Sequence, residues 1–329
     1  MCTSLTLKTK NDYHFLGRTM DFSVDINKSV HLIPRNYKIL NSVNNKYFKT
    51  KYALLGMSTI LDSHPIFADG LNEYGLCCSA LYFPGYAKYE NSINKTKENL
   101  APYDLVLWIL CNFKNLEEVK TNIKNINIID KPLSLLKLTP PLHWIVSDKS
   151  GNSIVIEKTK NGIDVLDNPI GVMTNSPNLN WHLTNLNQYI SLNPNQYNNT
   201  KWENFNLSPF GQGSGTFGLP GDFTPPSRFV RCAFLKNNLT NLNCEIDGVN
   251  GIFQVLSSCN IPKGAVLKMD KSEDKTLYTA VMCSESLKYY YSTYNNRQIT
   301  CIDLSNEDLN MKEIKSYPYR DTQSILFEN

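Results

Sequence analysis

The residues that could do chemistry begin at the start of the chain, where Cys2 directly follows Met1. If Met1 is removed, which a small second residue permits, Cys2 carries both a thiol and a free α-amine. The sulfur is then a nucleophile and the amine is its general base, since an N-terminal amine is an established base partner. The alternative is that Cys2 is a small buried apolar residue on a first strand.

Arg18 and Asp21 are the next candidates. Residues 2–8 and 13–18 alternate in polarity around a turn-forming stretch, which predicts a hairpin with Arg18 at the end of its second strand. The register of such a hairpin brings Arg18 close to Cys2, where a guanidinium favours thiolate over thiol. Asp21 would accept a hydrogen bond from the new α-ammonium. A surface ion pair at a strand end is the alternative.

Asn175 lies in the stretch Met173-Thr174-Asn175-Ser176-Pro177, where a predicted strand breaks before a helix. A side-chain amide at such a point is able to donate to an oxyanion that develops during acyl transfer. The alternative for this residue is an Asx-turn or a helix cap, which is common for Asn before Ser-Pro.

Other potential motifs are weaker. The segment Gly213–Gly218 fits G-x-G-x-x-G, but no strand precedes it and no helix follows, so a dinucleotide site is not expected. The five histidines show no metal-ligand spacing, and we expect structural roles for them, although any one could serve a Cys–His pair. They are His14, His31, His64, His143 and His182. No metal and no organic cofactor is expected.

Composition limits the class of protein. Hydrophobic residues make up 41% of the 329 residues and the net charge is +3, which does not favour a nucleic-acid or membrane-surface partner. No apolar run is long enough for a membrane span and no signal segment is evident. The nine cysteines are scattered and odd in number, which favours a reducing compartment. We therefore expect a cytoplasmic protein.

The elements that position these residues follow from periodicity and turn signals. Strands are predicted at 2–8, 13–18, 30–33, 52–57, 75–83, 142–146, 153–157, 163–166, 277–283, 288–294 and 298–303, and helices at 102–113, 116–126, 179–189, from 224 onward and at 248–258. This order favours an α+β fold in which antiparallel sheets carry helices on their outer faces. Residues 190–222 are long, polar and structureless by composition, and such a stretch is functional or interface-forming.

Taken together, these pieces resemble the choloylglycine hydrolase family of N-terminal-nucleophile (Ntn) hydrolases, which contains bile salt hydrolases and penicillin V acylases. The resemblance spans essentially the whole chain, as one domain of residues 1–329. It rests on an ordered series of motifs: Met1-Cys2-Thr3, Gly17-Arg18-Thr19-Met20-Asp21, Phe67-Ala68-Asp69-Gly70-Leu71-Asn72-Glu73, Leu142-His143-Trp144, Met173-Thr174-Asn175-Ser176-Pro177 and the segment from Gly218 to Arg228.

The resemblance implies a four-layer αββα sandwich of two antiparallel sheets flanked by helices. It implies a homotetramer with residues 190–222 as an assembly loop, and removal of Met1. Cys2 matches the nucleophile, while Arg18 and Asp21 match the residues that hold and polarise it. Asn175 matches an oxyanion donor, with the backbone N–H of Tyr82 as the second donor, and Arg228 matches another active-site arginine.

Position 82 departs from the bile salt hydrolases, which typically have Asn where this chain has Tyr82. A tyrosine ring offers a flat face for a phenoxyacetyl group, so the sequence favours hydrolysis of penicillin V, with conjugated bile salt hydrolysis as the alternative. The expected substrate is a small amide with an apolar acyl group, bound by Met20, Leu61, Tyr82 and Leu142. Loops near 22–27, 58–65, 129–139 and 261–268 would frame it. A non-catalytic binder of amphipathic acids is the remaining alternative.

Overall fold

The computed structural model describes residues 1–24 and 27–329. Its strands are β1 (Cys2–Lys8), β2 (His14–Phe22), β3 (Ser29–Ile33), β4 (Lys38–Leu40), β5 (Tyr47–Lys49), β6 (Leu54–Leu61), β7 (His64–Phe67), β8 (Asp69–Asn72), β9 (Cys77–Tyr82), β10 (Glu98–Leu100), β11 (Ile126–Ile128), β12 (Leu142–Ser147), β13 (Ser153–Thr159), β14 (Gly162–Asp167), β15 (Val172–Met173), β16 (Thr200–Trp202), β17 (Phe205–Leu207), β18 (Val266–Leu267), β19 (Glu273–Cys283), β20 (Lys288–Thr293), β21 (Thr300–Asp303) and β22 (Lys315–Tyr317). Its helices are α1 (Leu105–Asn112), α2 (Leu116–Asn122), α3 (Leu179–Asn185), α4 (Pro225–Asn237) and α5 (Glu245–Ser257).

Two antiparallel sheets dominate the fold. The first sheet has the strand order β15-β1-β2-β19-β20-β21, with β18 paired to β19. The second sheet has the order β14-β13-β12-β9-β8-β6-β3-β22, with β7 paired to β6. Helices α4 and α5 pack on the first sheet, and α1 packs on the second. The result is the four-layer αββα arrangement, so the predicted fold class is confirmed.

The inner strands of the second sheet are buried on both faces, and their side chains alternate between two cores. Leu55, Leu81 and Ile145 face the first sheet and join the core that also contains Leu5 and residues of α5. The next residues along the same strands join a second core beneath α1 and α2, namely Leu54, Ala80, Trp144 and Val146. Because successive side chains of a strand point to opposite faces, one strand supplies both cores. This explains why these strands are apolar runs rather than alternating ones.

Most predicted elements are present, and three differences have physical causes. β2 continues to Phe22, so Arg18 lies within the strand and not at its end. A charged side chain is tolerated inside the strand because Arg18 is paired with Asp69. Residues 190–222 are not structureless: they contain the hairpin of β16 and β17. The strand β8 and several three-residue strands escaped prediction because such short segments show too little periodicity.

Candidate active site

The hairpin of β1 and β2 assembles the first part of the site. Cys2 pairs with Met20 and Ser4 pairs with Arg18 across the two strands. Residues opposite each other in an antiparallel pair share one face, and diagonal neighbours remain within reach of long side chains. The Arg18 Nη2 accordingly donates to the Cys2 Sγ at 3.0 Å, and the Met20 Sδ lies 3.9 Å from that sulfur. Cys2 is 4% exposed.

Arg18 is fully buried and is held by a carboxylate from the second sheet. Its Nη1 donates to the Asp69 Oδ2 at 2.9 Å, and its Nε donates to the Thr19 carbonyl. Asp69 also accepts hydrogen bonds from Tyr278 at 2.6 Å and Tyr289 at 2.5 Å. Every oxygen of this buried carboxylate thus has a donor, which is the condition under which a buried ion pair is tolerated.

The protonation states within this network follow from burial and charge. Burial raises the pKa of Tyr278 and of Tyr289 well above the usual range, so both remain neutral donors to Asp69. Burial alone lowers the pKa of Arg18, but the ion pair and hydrogen bond with Asp69 act against it, and the pKa stays above its usual value. The guanidinium therefore stays charged beside the Cys2 sulfur.

A close contact between β6 and β8 places Asp69. A Cβ atom added to Gly56 would lie 2.1 Å from the carbonyl oxygen of Asp69 and 2.6 Å from the Cα of Gly70. Real Cβ atoms do not approach backbone atoms so closely, so only glycine fits at position 56. The pairing of β6 and β8 places the Asp69 carboxylate between the two sheets, where it contacts Arg18.

Asn175 and Arg228 form the second part of the site. The Asn175 Oδ1 accepts from the Cys2 backbone N–H at 3.0 Å and from the Arg228 Nη2 at 2.6 Å. Its Nδ2 donates to the Tyr82 carbonyl at 2.7 Å. These partners assign the amide orientation, because the flipped amide would face two donors with its own donor. Arg228 also donates to the Cys2 carbonyl at 2.5 Å.

Burial and contacts decide between the alternatives for three residues. Arg18 is 0% exposed and Asp21 is 1% exposed, so they do not form a surface ion pair. The N-cap of α3 is Asn178, whose side chain accepts from the Trp181 N–H, so Asn175 is not the helix cap. The side-chain amide of Asn175 instead joins the chain start to the end of β9.

Asp21 lies one step further from Cys2. Its carboxylate accepts from the Thr276 hydroxyl at 2.6 Å and from the Thr19 hydroxyl at 3.2 Å. Its backbone pairs with Met1: the Met1 ammonium donates to the Asp21 carbonyl at 2.7 Å. In the chain that carries Met1, the Cys2 nitrogen is a peptide nitrogen. The predicted contact of Asp21 with a Cys2 α-ammonium concerns the processed chain and stays a prediction.

The predicted acyl pocket is assembled in part. Tyr82 and Leu142 are neighbours in register on β9 and β12, and Tyr82 is the more exposed of the two. Met20 touches the Cys2 sulfur. Leu61 lies at the end of β6, next to the turn into β7, and its role as a substrate contact stays a prediction. Residues 58–65, predicted as a framing loop, are the end of β6, a two-residue turn and the start of β7. Residues 25 and 26 of the predicted loop 22–27 lie outside the described residues.

Three buried cysteines are unsuited to act as nucleophiles, and the histidines form no Cys–His pair in the described residues. Burial raises the pKa of Cys77, Cys78 and Cys111 above the usual range, which makes them poor nucleophiles. Within residues 1–24 and 27–329, no histidine nitrogen is hydrogen-bonded to a cysteine sulfur; the histidine partners are Glu285 for His14, Ser58 for His31, Asp104 for His64, Thr174 for His143 and Asn175 for His182.

The described part of the chain lacks two kinds of feature. None of its helices combines the length and the apolar character that a membrane crossing requires. Its His, Cys, Asp and Glu side chains form no group of three or more that could bind a metal ion.

Sequence reasoning missed Asp69, Tyr278 and Tyr289 as parts of the site. Asp69 stood within a quoted motif without a role, and its signal was a carboxylate inside an apolar strand, Phe67-Ala68-Asp69-Gly70-Leu71. The two tyrosines gave no such signal, because tyrosine is common in strands for packing alone.

The two facing sheets with a cysteine at the start of the first define a class, the Ntn hydrolases. Residues 2–317 match the family described as linear amide C–N hydrolases, choloylglycine hydrolase family. The chain belongs to this family, and it is an enzyme that acts on linear amides.

Relatives of known name cover the same length. The chain is 46% identical over 329 residues, 100% of both chains, to a bile salt hydrolase/transferase of Clostridium perfringens, and 38% identical, over 97% of both, to one of Lactiplantibacillus plantarum. A crystal structure of a mutant conjugated bile acid hydrolase from Clostridium perfringens superposes with a TM-score of 0.95 at 45% identity over 100% of both chains. A penicillin V acylase of Agrobacterium tumefaciens has a TM-score of 0.76 at 22% identity, over 96% of this chain and 90% of that one, and shares the fold.

Proposed function

We propose that this chain hydrolyses the amide bond of conjugated bile salts, with Cys2 as nucleophile. The observation that carries the proposal is the Arg18 Nη2 at 3.0 Å from the Cys2 sulfur at the start of β1. The named relatives that match over full length favour bile salts over penicillin V. The expectation of penicillin V rested on Tyr82, and the penicillin V acylase offers a shared fold only.

The first chemical step is attack of Cys2 on the amide carbonyl. After removal of Met1, the α-amine of Cys2 takes the thiol proton while the sulfur attacks the amide carbonyl. The Arg18 Nη2 donates to the Cys2 sulfur and so holds the nucleophile in place. Arg228 fixes the Cys2 carbonyl, so the nucleophile keeps its orientation during attack.

The second step is collapse of the tetrahedral intermediate. The Asn175 Nδ2 carries two hydrogens and donates one of them to the Tyr82 carbonyl. The other hydrogen is available to donate to the oxyanion, and the Tyr82 N–H is the second donor. Each such donor contributes about 3 kcal/mol to the barrier reduction. The carbon–nitrogen bond then breaks, the leaving amine takes the proton from the α-ammonium, and water hydrolyses the thioester to the free acid and the thiol.

Acyl transfer is a second outcome of the same thioester. The relatives from Clostridium perfringens and Lactiplantibacillus plantarum carry the name hydrolase/transferase. An amine that enters in place of water would attack the thioester carbonyl, form a new amide and release the Cys2 thiol. Mass spectrometry of reactions with glycocholate and excess taurine should therefore show taurocholate.

The substrate contacts and the location belong to the same proposal. Met20, Tyr82, Leu142 and Leu61 are proposed to line the apolar acyl pocket, with the amide carbonyl next to Cys2. A cytoplasmic location is proposed from the scattered cysteines.

We also infer a single domain over residues 1–329 that assembles into a homotetramer through residues 190–222. The single domain is supported by one core that contains side chains of both sheets. The assembly is supported by large apolar side chains that stand exposed in this segment: Ile190, Tyr197, Trp202, Phe205, Phe210 and Phe217. Several large apolar side chains exposed in one segment are typical of an interaction surface. Light scattering should give a tetramer mass that Trp202→Asp lowers and the control Ile325→Asp, an exposed apolar residue elsewhere, does not.

The decisive experiment for the substrate compares kcat/KM for glycocholate and penicillin V on the processed enzyme. We expect the glycocholate value to be higher. Tyr82→Asn tests the side chain at position 82, and Tyr82→Phe is its matched control, because it keeps the ring and removes only the hydroxyl. A higher kcat/KM for penicillin V in the wild type, reversed by Tyr82→Asn but not by Tyr82→Phe, would establish a penicillin V acylase instead.

Two further measurements separate the remaining alternatives. Acetylation of the N-terminus should abolish activity, because it removes the α-amine base; full activity after acetylation would favour a Cys–His hydrolase. A burst of released amine equal to the enzyme concentration should appear and should vanish in Cys2→Ala. If wild-type enzyme binds glycocholate but shows no release of amine, the chain is a non-catalytic binder.

A further inference from the structure

We propose that His143 and His182 are positioning residues that hold the backbone on both sides of Asn175, and so fix the oxyanion donor. The proposal rests on the proposed role of Asn175 in amide hydrolysis. Neither histidine touches Cys2, and both act through the segment that carries Asn175.

The segment needs such support because it lies outside the sheet. β15 ends at Met173, whose partner is Ser4 on β1, and α3 begins only at Leu179. Thr174 and Asn175 are nevertheless buried, at 0% and 2% exposure. Buried carbonyl groups require donors, and past Met173 no paired strand supplies them.

His182 supplies one of these donors. It lies on α3, and its Nε2 is 2.9 Å from the carbonyl oxygen of Asn175. Its ring stacks on Phe229 of α4, with centroids 4.7 Å apart and an angle of 13° between the planes. Burial lowers the pKa of His182 to about 4, so the ring is neutral near pH 7. Because a carbonyl only accepts, the single ring proton is on Nε2.

His143 supplies the other donor from the second sheet. Its Nε2 is 3.1 Å from the carbonyl oxygen of Thr174, and its ring stacks on Phe83 at 4.2 Å between centroids. Its Nδ1 faces the Oε1 of Glu157 at 3.7 Å. That same Oε1 accepts from the Leu179 N–H, the first residue of α3, at 2.9 Å. The Glu157 carboxylate thus lies between His143 and the first residue of the helix that carries His182.

The two imidazoles come from different layers and converge on consecutive carbonyls. The peptide planes before and after Asn175 are therefore both fixed, and with them the direction of its side chain. Loss of one oxyanion donor lowers kcat by about 10²- to 10³-fold, and a misplaced group loses part of that. We expect His182→Leu to lower kcat by about 10- to 100-fold with little change in KM.

Matched variants separate positioning from simple stability. Gln places a donor near the position of Nε2, so His182→Gln should recover most of the kcat that His182→Leu loses. The rate of Cys2 alkylation by iodoacetamide should stay unchanged in both, because Arg18 and its contacts remain. In an Asn175→Ala background, His182→Leu should lower kcat no further, since its effect passes through Asn175. His143→Leu and His143→Gln form a second pair if His182→Leu does not fold.

Each outcome bears on one hypothesis. If Asn175→Ala keeps full kcat, the proposed oxyanion role of Asn175 is wrong. If Asn175→Ala loses kcat while folded His182→Leu and His143→Leu keep it, the positioning proposal is overturned and the function is not. Equal losses of kcat in the Leu and Gln variants, or a further loss in the Asn175→Ala background, would likewise overturn it.

Discussion

Replacement of Asp69 by Asn should be among the most destabilising single changes in this chain. The carboxylate is fully buried and is the anionic partner of Arg18, which is also fully buried. Asp69→Asn keeps the shape of the side chain but leaves the guanidinium without a counter-charge. Removal of one partner from a buried ion pair costs about 3–5 kcal/mol, most of it the penalty of the stranded charge.

Tyr289 offers a matched control, because it contacts the same carboxylate through one hydrogen bond. Tyr289→Phe removes a single hydrogen bond to Asp69 and leaves the ion pair in place. A hydrogen bond to a charged group is worth about 1.5–3 kcal/mol, so Tyr289→Phe should cost clearly less than Asp69→Asn. Urea unfolding followed by tryptophan fluorescence gives both free energies of unfolding, and the difference corresponds to a shift in Tm of several degrees, on the order of 5 °C.

A double-mutant cycle tests the cause of the loss. Arg18→Leu strands the Asp69 carboxylate just as Asp69→Asn strands the guanidinium, so the double variant removes both problems at once. Its loss of unfolding free energy should be smaller than the sum of the two single losses by about 2 kcal/mol or more. Additive losses, or an Asp69→Asn variant within about 1 kcal/mol of wild type, would refute the ion-pair reasoning.

Three further outcomes are expected. Burial lowers the pKa of His182 to about 4 in the folded protein, against 6.5 in the unfolded chain. As the pH drops from 6.5 to 4, the unfolded chain binds a proton that the folded protein does not, so the free energy of unfolding decreases. The loss of unfolding free energy approaches about 3 kcal/mol. Urea midpoints of the wild type and His182→Gln measured across that pH range test it, and midpoints that change equally with pH in both proteins would contradict it. Gly56→Ala should destabilise by more than about 1–3 kcal/mol or prevent folding, because its Cβ meets the Asp69 backbone, whereas Gly85→Ala, where a Cβ meets open space, should cost less despite its positive φ. Arg228→Lys should lower kcat by at least about tenfold, since an ammonium cannot donate to the Cys2 carbonyl and the Asn175 Oδ1 with the geometry of a guanidinium. An unchanged kcat would show that the two guanidinium hydrogen bonds are not needed for catalysis.

The sequence predicted those features that local pattern determines. Alternation around a turn was sufficient for the β1–β2 hairpin, and that hairpin alone brings Arg18 to Cys2. Thr224 before Pro225 marked the start of α4. The position of Asn175 in a break between strand and helix was also readable, although only the structure shows its amide between Cys2 and Tyr82.

Long-range pairing was beyond the sequence. Arg18 and Asp69 are fifty-one positions apart and lie on different sheets, and no periodicity links them. The extent of β2 was underestimated because Arg18 and Asp21 resemble the polar end of a strand, whereas both are buried by partners from elsewhere in the chain. Structural roles were expected for the histidines, and this stays a prediction. The convergence of His143 of β12 and His182 of α3 on the backbone at Thr174 and Asn175 depends on long-range contacts that no local pattern shows.

The ion pair of Arg18 and Asp69 also has a mechanical consequence. It crosses the gap between the two sheets, since Arg18 belongs to β2 and Asp69 to β8. Cys2 lies on the first sheet and Tyr82 on the second, so sliding of one sheet over the other would move the proposed nucleophile away from the Tyr82 N–H, one of the two proposed oxyanion donors. The ion pair of Arg18 and Asp69 resists that displacement because it joins one strand of each sheet. Heat inactivation and loss of tertiary structure should therefore occur together, with no range of temperature in which a folded enzyme has a displaced site.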